Sequence, residues 1–293
     1  MRTSPRILAL LAVVAFATVL AACQNGIFAL ANAPTLFDSY KGYPDLAYGE
    51  ERRQRLDIYA PRNAQHLPVV IFWHGGTWMS GNKKNYRFVA TALVARGFVA
   101  VVADYRLYPA VHFPAFCEDG AHALAWVEAH IADYGGDPQR IVLMGHSAGA
   151  HIAAFVAYNH EFDRQAGADP RDIVGFVGLS GPYALVPDSP ELRAMFPRPY
   201  TEGDWQPVDF VDEHSPPTLL LHGVKDRDVS ARESVQLYAA LDGNHVRVEM
   251  HLYPHGRHDD TLAPFALIAR GTSPAYEDSM AFIESVTRSG PSP

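Results

Sequence analysis

The stretch Ile141 to Tyr158 constrains the fold more than any other part of the chain. An apolar run, Ile141 to Met144, breaks at Gly145-His146-Ser147-Ala148-Gly149 and passes without a spacer into the Ala-rich segment Ala148 to Tyr158. A short apolar run that ends in glycine and turns at once into helix-forming sequence reads as a buried strand feeding a helix through a tight turn. Such a turn sits at the carboxyl end of a parallel sheet and leaves its central serine exposed above it. The chain therefore has to supply a sheet and helices to cover it.

The rest of the sequence does so. Val69 to Trp73, Phe98 to Ala103, Ile173 to Leu179 and Thr218 to Leu221 are continuous apolar runs of strand length. Val246, Val248, Met250 and Leu252 alternate with Arg247, Glu249 and His251, as in a strand with one less buried face. Between these runs, Tyr86, Val89, Ala90, Leu93 and Val94 repeat at helical spacing before Gly97, and Leu124, Val127 and Ile131 mark another helix. Ser230 and Glu233 predict a capping box, and Ser273-Pro274 predicts the start of a last helix. Alternating strands and helices predict an α/β fold, a mostly parallel central sheet with helices on both faces. The proline-rich stretch 182–217 breaks the rhythm and is expected to form a small cap or lid insertion or a surface excursion.

Residues 1–22 stand apart from the fold. Arg2 and Arg6 precede an apolar run from Ile7 to Leu20, which is shorter than the roughly 20 residues of a spanning helix and reads as a secretory signal. Leu20-Ala21-Ala22-Cys23 resembles a bacterial lipobox. Cleavage there would leave Cys23 N-terminal and lipid-modified, and Gln24 after it, by resemblance to enterobacterial lipoprotein sorting, implies the outer membrane. The expected organisation is a signal peptide (1–22), a tether and irregular entry segment (23–50) and a catalytic domain (51–293) carrying the 182–217 insertion. With Cys23 lipidated, Cys117 is the only remaining thiol. It is expected to be a buried small apolar residue, and no intrachain disulfide forms. A formal charge of −8 excludes phosphate-backbone binding as a main activity, so no nucleic-acid partner is expected.

Four segments carry chemistry. A serine hydroxyl attacks a carbonyl only when a base takes its proton, so Ser147 as nucleophile requires partners elsewhere. His74-Gly75-Gly76-Thr77-Trp78 follows a buried strand, and its glycines leave backbone N–H groups free to face a developing oxyanion. Gly75, Gly76 and Ala148 are assigned to that hole, with Thr77 standing where the HGGG-type pattern has its third glycine. Asp226 and Asp228 follow a late strand, and either has the chemistry to orient a histidine base. His255 and His258 lie in the loop after the last strand. His255-x-x-His258 with Asp259 and Asp260 has metal-ligating residue types. Pro254 and Gly256 oppose a helix, however, and the spacing is not the i, i+4 of zinc peptidases, so no metal is expected. Trp78 is a tentative substrate contact, either stacking on an aromatic group or packing the wall.

The order serine, acid, histidine is that of the α/β-hydrolases. From Asp57 to His258 the chain resembles their esterase branch, which includes hormone-sensitive-lipase-like carboxylesterases, bifunctional feruloyl and acetylxylan esterases, kynurenine formamidase and prenylcysteine methylesterase. The phrases that carry the resemblance are Asp104-Tyr105-Arg106-Leu107, the His-Gly-Gly-x-Trp loop, and Ala132-Asp133-Tyr134-Gly135-Gly136-Asp137-Pro138. The last of these leads into Gly145-His146-Ser147-Ala148-Gly149-Ala150-His151. The resemblance implies Asp226 as the acid and His258 as the base, hydrolysis of short- to medium-chain carboxylic esters through an acyl-enzyme, and no cofactor. It leaves open an arylformamidase, an acetyl or feruloyl esterase, and a catalytically inactive ligand-binding lipoprotein. Activity is expected to decline on the acid side as the base protonates, near the reference pKa of about 6.5.

Overall fold

The computed structural model describes residues 26–288 apart from Asp38, so residues 1–22 and Cys23 lie outside the described residues. Eight strands form one sheet: β1 (Tyr40–Ala47), β2 (Arg55–Pro61), β3 (Leu67–Trp73), β4 (Val99–Ala103), β5 (Gly136–His146), β6 (Ile173–Leu179), β7 (Thr218–Gly223) and β8 (Val248–Tyr253). Their spatial order is β1-β2-β4-β3-β5-β6-β7-β8. β2 runs antiparallel to β1 and β4, and every pair from β4 to β8 is parallel. The helices are α1 (residues 26–32), α2 (Arg87–Val94), α3 (Ala115–His130), α4 (Ala148–Tyr158), α5 (His160–Ala166), α6 (Pro190–Met195), α7 (Glu202–Trp205), α8 (Arg232–Gly243) and α9 (Ala275–Thr287).

Alternation along the strands divides the core in two. Val69, Ile71 and Trp73 of β3 face a layer built with α3, α4 and α8, while Val70 and Phe72 face one built with α2 and α9. All seven residues of β3 except Leu67 and Pro68 are buried, as a central parallel strand covered on both sides must be. The order reverses at β3, whose neighbours are β4 on one side and β5 on the other. In sheets of this kind, ligands bind beyond the carboxyl ends of the strands at that reversal. The loops after β3 and β5 carry Gly75-Gly76 and Ser147.

Three expectations need correction. Residues 23–50 are not an irregular tether throughout, because α1 and β1 lie within them and β1 pairs with β2 from Tyr40 to Ala47. The strand was hidden because its outer edge is open, and only three of its eight residues are even half-buried, so no apolar period shows. The Ser230–Glu233 capping box does not form. Ser230 Oγ accepts from Arg232 N–H, while the Glu233 carboxylate turns away to accept the N–H of Ala184. A buried backbone N–H needs an acceptor more than an exposed helix start does. The stretch 182–217 is no loose excursion. It buries Tyr183, Met195, Phe196 and Trp205 and is pinned where Met195 O accepts Phe113 N–H and Trp205 O accepts His151 Nε2–H.

A buried ionic cluster fixes the loop that follows β3. Lys83, whose side chain is almost wholly inaccessible, pairs with Asp57 and Asp45, and its backbone N–H donates to Asp104. Removing one member of a buried pair leaves the other charge uncompensated, at a cost of about 3–5 kcal/mol. Lys83→Met is therefore expected to lower the urea midpoint by that order of stability. An unchanged midpoint would show that Asp57 does not depend on this lysine.

Candidate active site

The turn between β5 and α4 is possible only because of two glycines. A Cβ on Gly145 would overlap the backbone of Gly149, and a Cβ on Gly149 would overlap the carbonyl oxygens of Trp73 and His74. Between them Ser147 is held at φ 55° and ψ −124°, a region costly for any side chain but glycine. Its N–H donates to Leu179 O at 2.9 Å, which ties the turn to the end of β6.

The loop after β3 comes to within contact of Ser147. A Cβ on Gly75 would lie 3.1 Å from Ser147 Cβ. Gly76, Thr77 and Trp78 take φ of 123°, 53° and 53°, and this left-handed run turns the backbone sharply. Among the described residues, the N–H groups of Gly75, Gly76 and Ala148 donate to no protein acceptor. Free donors beside a serine hydroxyl are what a developing oxyanion requires. Thr77 is exposed.

Behind the loop, His74 is fully buried and stacked on Tyr105, with ring centroids 4.6 Å apart. One ring nitrogen faces Gly75 O at 2.7 Å and the other faces Asp104 Oδ1 at 3.1 Å. Tyr105 OH donates to His74 O, Arg53 donates to Tyr105 O and Gly81 O, and Arg106 pairs with buried Asp119. The Asp104-Tyr105-Arg106 phrase thus braces the loop that carries Gly75 and Gly76.

At the far end of the sheet, the structure brings Asp226 and His258 together, with His258 Nδ1 donating to Asp226 Oδ2 at 2.8 Å. The Asp226 side chain is inaccessible to solvent. Its other oxygen accepts the N–H groups of Asp228 and Val229, each at 2.9 Å. His222 Nε2 stands 3.2 Å from Asp226 Oδ2 and 3.1 Å from Val229 O. Both are acceptors, so Nε2 carries the proton, and Nδ1 accepts from Ser234 Oγ at 2.7 Å. Burial alone would raise the Asp226 carboxyl, but the hydrogen bonds from His222, His258 and Val229 outweigh it and hold the group well below the usual carboxylate range. Asp228 and His255 are exposed.

Burial would likewise push His258 down, yet the hydrogen bond and charge of Asp226 prevail and raise it above its ordinary value. Ser180 Oγ and His146 Nε2 both donate to the His258 carbonyl, at 3.1 and 3.2 Å, and fix the backbone of His258. The His146 ring lies 4.8 Å from that of His258, and burial together with that neighbour pushes His146 down to about 3, keeping it neutral. The base thus lies against the residue that precedes Ser147. Among the described residues, no hydrogen bond joins Ser147 to His258, and a hydrogen bond between a nucleophile and its base often tightens only when substrate binds. Asp226, Asp228 and His258 also offer ligand atoms within 4.8 Å of one another. His258 Nδ1 and Asp226 Oδ2 already face each other there.

Trp78 is not placed to stack on a substrate. It is buried against Phe116, His151 and Phe196, at centroid distances of 5.8, 5.1 and 5.2 Å, which makes it wall packing under the 182–217 segment. Cys117 is free and buried in α3, where burial pushes its thiol far up. The sequence left the positioning roles of His222, Ser180 and His146 unread and misled on Glu233. Of these, His222 alone carried a signal, as a histidine standing directly before Gly223 at the end of an apolar run.

The sheet order and its flanking helices define the class of fold: the chain has the α/β-hydrolase fold. Residues 56–187 match the BD-FAE family model, and residues 191–289 match that of the prolyl oligopeptidase family. Among curated proteins, the chain is similar to a probable isoprenylcysteine alpha-carbonyl methylesterase ICMEL1 of Oryza sativa subsp. japonica. They are 31% identical over 239 residues, covering 73% of this chain and 56% of that protein. Esterase LipQ of Mycobacterium tuberculosis is 31% identical over 270 residues, covering 83% of this chain and 63% of that protein. The chain thus spans less than two thirds of the length of either. Two solved structures share the fold. A truncated carbohydrate esterase from gut microbiota has a TM-score of 0.75 at 21% identity, over 86% of this chain and 99% of that one. Propionate-bound esterase Est2 of Thermogutta terrifontis has a TM-score of 0.68 at 22% identity, over 84% of this chain and 93% of that one.

The raised His258 has a measurable sign. By NMR titration its imidazole is expected to lose its proton above about 6.5, the reference value, and Asp226→Asn should move that titration to lower pH. A midpoint at or below the reference in the unmodified chain would contradict the assigned pairing.

Proposed function

We propose that the chain is a serine carboxylesterase that hydrolyses short- to medium-chain carboxylic esters through an acyl-enzyme. The observation that carries this reading is the buried Asp226–His258 pair beside a strained serine flanked by three unused backbone N–H donors. Ser147 attacks the ester carbonyl while His258 Nε2 takes its proton, and Asp226 holds the Nδ1–H tautomer and stabilises the cation. The N–H groups of Gly75, Gly76 and Ala148 receive the oxyanion. His258 then protonates the leaving alcohol, and water attacks the acyl-enzyme by the reverse route. No step calls on a cofactor or a metal.

His151, one helical turn beyond Ser147, is packed against Trp78 and Phe196, and this aromatic packing next to the nucleophile supports a short- to medium-chain acyl group. The curated relatives named above include a methylesterase and an esterase, which supports ester hydrolysis as the reaction type. We read residues 1–22 as an export signal and Cys23 as the lipid attachment site, which would place the chain on the outer membrane or facing the periplasm. The basic start, the apolar run and the small residues before Cys23 support this.

A p-nitrophenyl ester series from acetate to decanoate is expected to be hydrolysed best at its short end, with Ser147→Ala reducing kcat by about 10⁴-fold or more. Retention of the rate in that variant would refute the nucleophile. The acid limb of kcat/KM should fall above about 6.5, because the base must be neutral and its pKa is raised. EDTA should leave the rate unchanged. Loss of activity that Zn²⁺ restores would instead favour the carboxylate–histidine cluster as a metal site.

A further inference from the structure

Two segments far apart in the chain combine the same unusual properties. Residues 26–37 and residues 262–269 contain no charged side chain at all, although about a fifth of the chain is charged. From these segments Ile27, Leu30, Leu36, Leu267 and Ile268 project into solvent, each more than half exposed. They account for five of the eleven large apolar side chains exposed in the described structure. Scattered exposed leucines need no explanation, but a concentration in two uncharged segments marks an interaction surface.

Both segments pack on the same part of the fold. Asn32 at the end of α1 accepts Phe88 N–H and donates to Asn85 O, while Ala31 belongs to the same apolar layer as Phe88, Phe265 and Ala266. The surface also adjoins the site. Phe28 contacts Tyr86, with ring centroids 5.1 Å apart, and Tyr86 stacks on His74 immediately before the oxyanion glycines. The second segment begins at Leu262, directly after the turn His258–Thr261 that carries the base.

What covers this surface follows from where the preceding chain attaches. Cys23 stands four residues before Ile27, a reach of at most about 14 Å even when fully extended. A lipid on Cys23 therefore brings α1 to the bilayer before any other part of the domain. We propose that Ile27, Leu30, Leu36, Leu267 and Ile268 form a bilayer-docking face, which seats the mouth of the Ser147 site at the membrane and directs it to esters dissolved there. This inference rests on the lipid-anchor and esterase readings above. With no charge in either segment, docking is by apolar insertion into the acyl boundary, so phosphatidylcholine vesicles suffice and anionic lipid is not needed.

The test uses the full chain reconstituted in phosphatidylcholine vesicles. Cys117 is buried, so Ile268→Cys and, as a control, Val235→Cys each take an environment-sensitive fluorophore at one site. Val235 lies on α8, which packs on the opposite face of the sheet. A spin-labelled lipid is expected to quench the probe at 268 several-fold more than the probe at 235. Equal quenching overturns the proposal, as does a probe at 268 that is already shielded without vesicles, the sign that a second copy covers the face. Separately, Leu267→Glu/Ile268→Glu should hydrolyse p-nitrophenyl acetate in solution at the unmodified rate. It should act about tenfold or more slowly on a decanoyl ester held in the vesicles, because inserted apolar side chains are lost. Equal slowing on both substrates would also overturn it. The mass of the Cys23 peptide decides the anchor, and the acetate rate of the unmodified chain decides the esterase reading, each independently of the quenching result.

Discussion

The first turn of α4 lies so close to the end of β3 that no side chain fits between them. Gly149 meets the carbonyl oxygens of Trp73 and His74, and Gly145 meets the backbone of Gly149. That contact sets the separation of β5 from the loop after β3, and so the distance from Ser147 to the free N–H groups of Gly75 and Gly76. A methyl at Gly149 would have to push α4 away from the end of β3, and one at Gly145 would have to push α4 away from β5. The strain at Ser147 is maintained by the parallel pairing of β3, β5 and β6 around it.

Around this contact the structure spends its buried polar groups on orientation. Asp104, Tyr105, Arg53 and Lys83 hold the oxyanion loop from below, while His222, Ser234 and two backbone N–H groups hold Asp226. Buried charges are costly unless fully paired, and each of these is paired. One result is electrostatic division of labour between adjacent histidines. His258, hydrogen-bonded to the Asp226 carboxylate, is raised, whereas His146, buried and with no carboxylate at hydrogen-bond distance, is kept neutral and donates to the His258 carbonyl.

Much of this was legible in the sequence because the central strands are buried on both faces. β3, β4, β6 and α4 show as unbroken apolar or Ala-rich runs, and α4 and β6 begin and end where the pattern places them. Gly145, Gly149 and the Gly75-Gly76 pair were readable because close backbone approach leaves no alternative to glycine. The edge strand β1 was not readable, since an open edge imposes no apolar period. Glu233 was misread because its partner, Ala184 N–H, lies 49 residues away and only the tertiary fold supplies it. Ser180 and His146 had no signal either, because their roles consist of hydrogen bonds to one carbonyl on a distant loop. Trp78 was ambiguous in sequence, and the aromatic residues of 182–217 decided it as packing.

An arrangement built around one strained serine should make that single hydroxyl, Ser147, reactive. Labelling the intact chain with a fluorophosphonate and mapping the adduct by mass spectrometry tests it most directly. The adduct is predicted on Ser147 alone and should be lost when His258 is replaced by Ala. Modification at another serine, or undiminished labelling without His258, would contradict it.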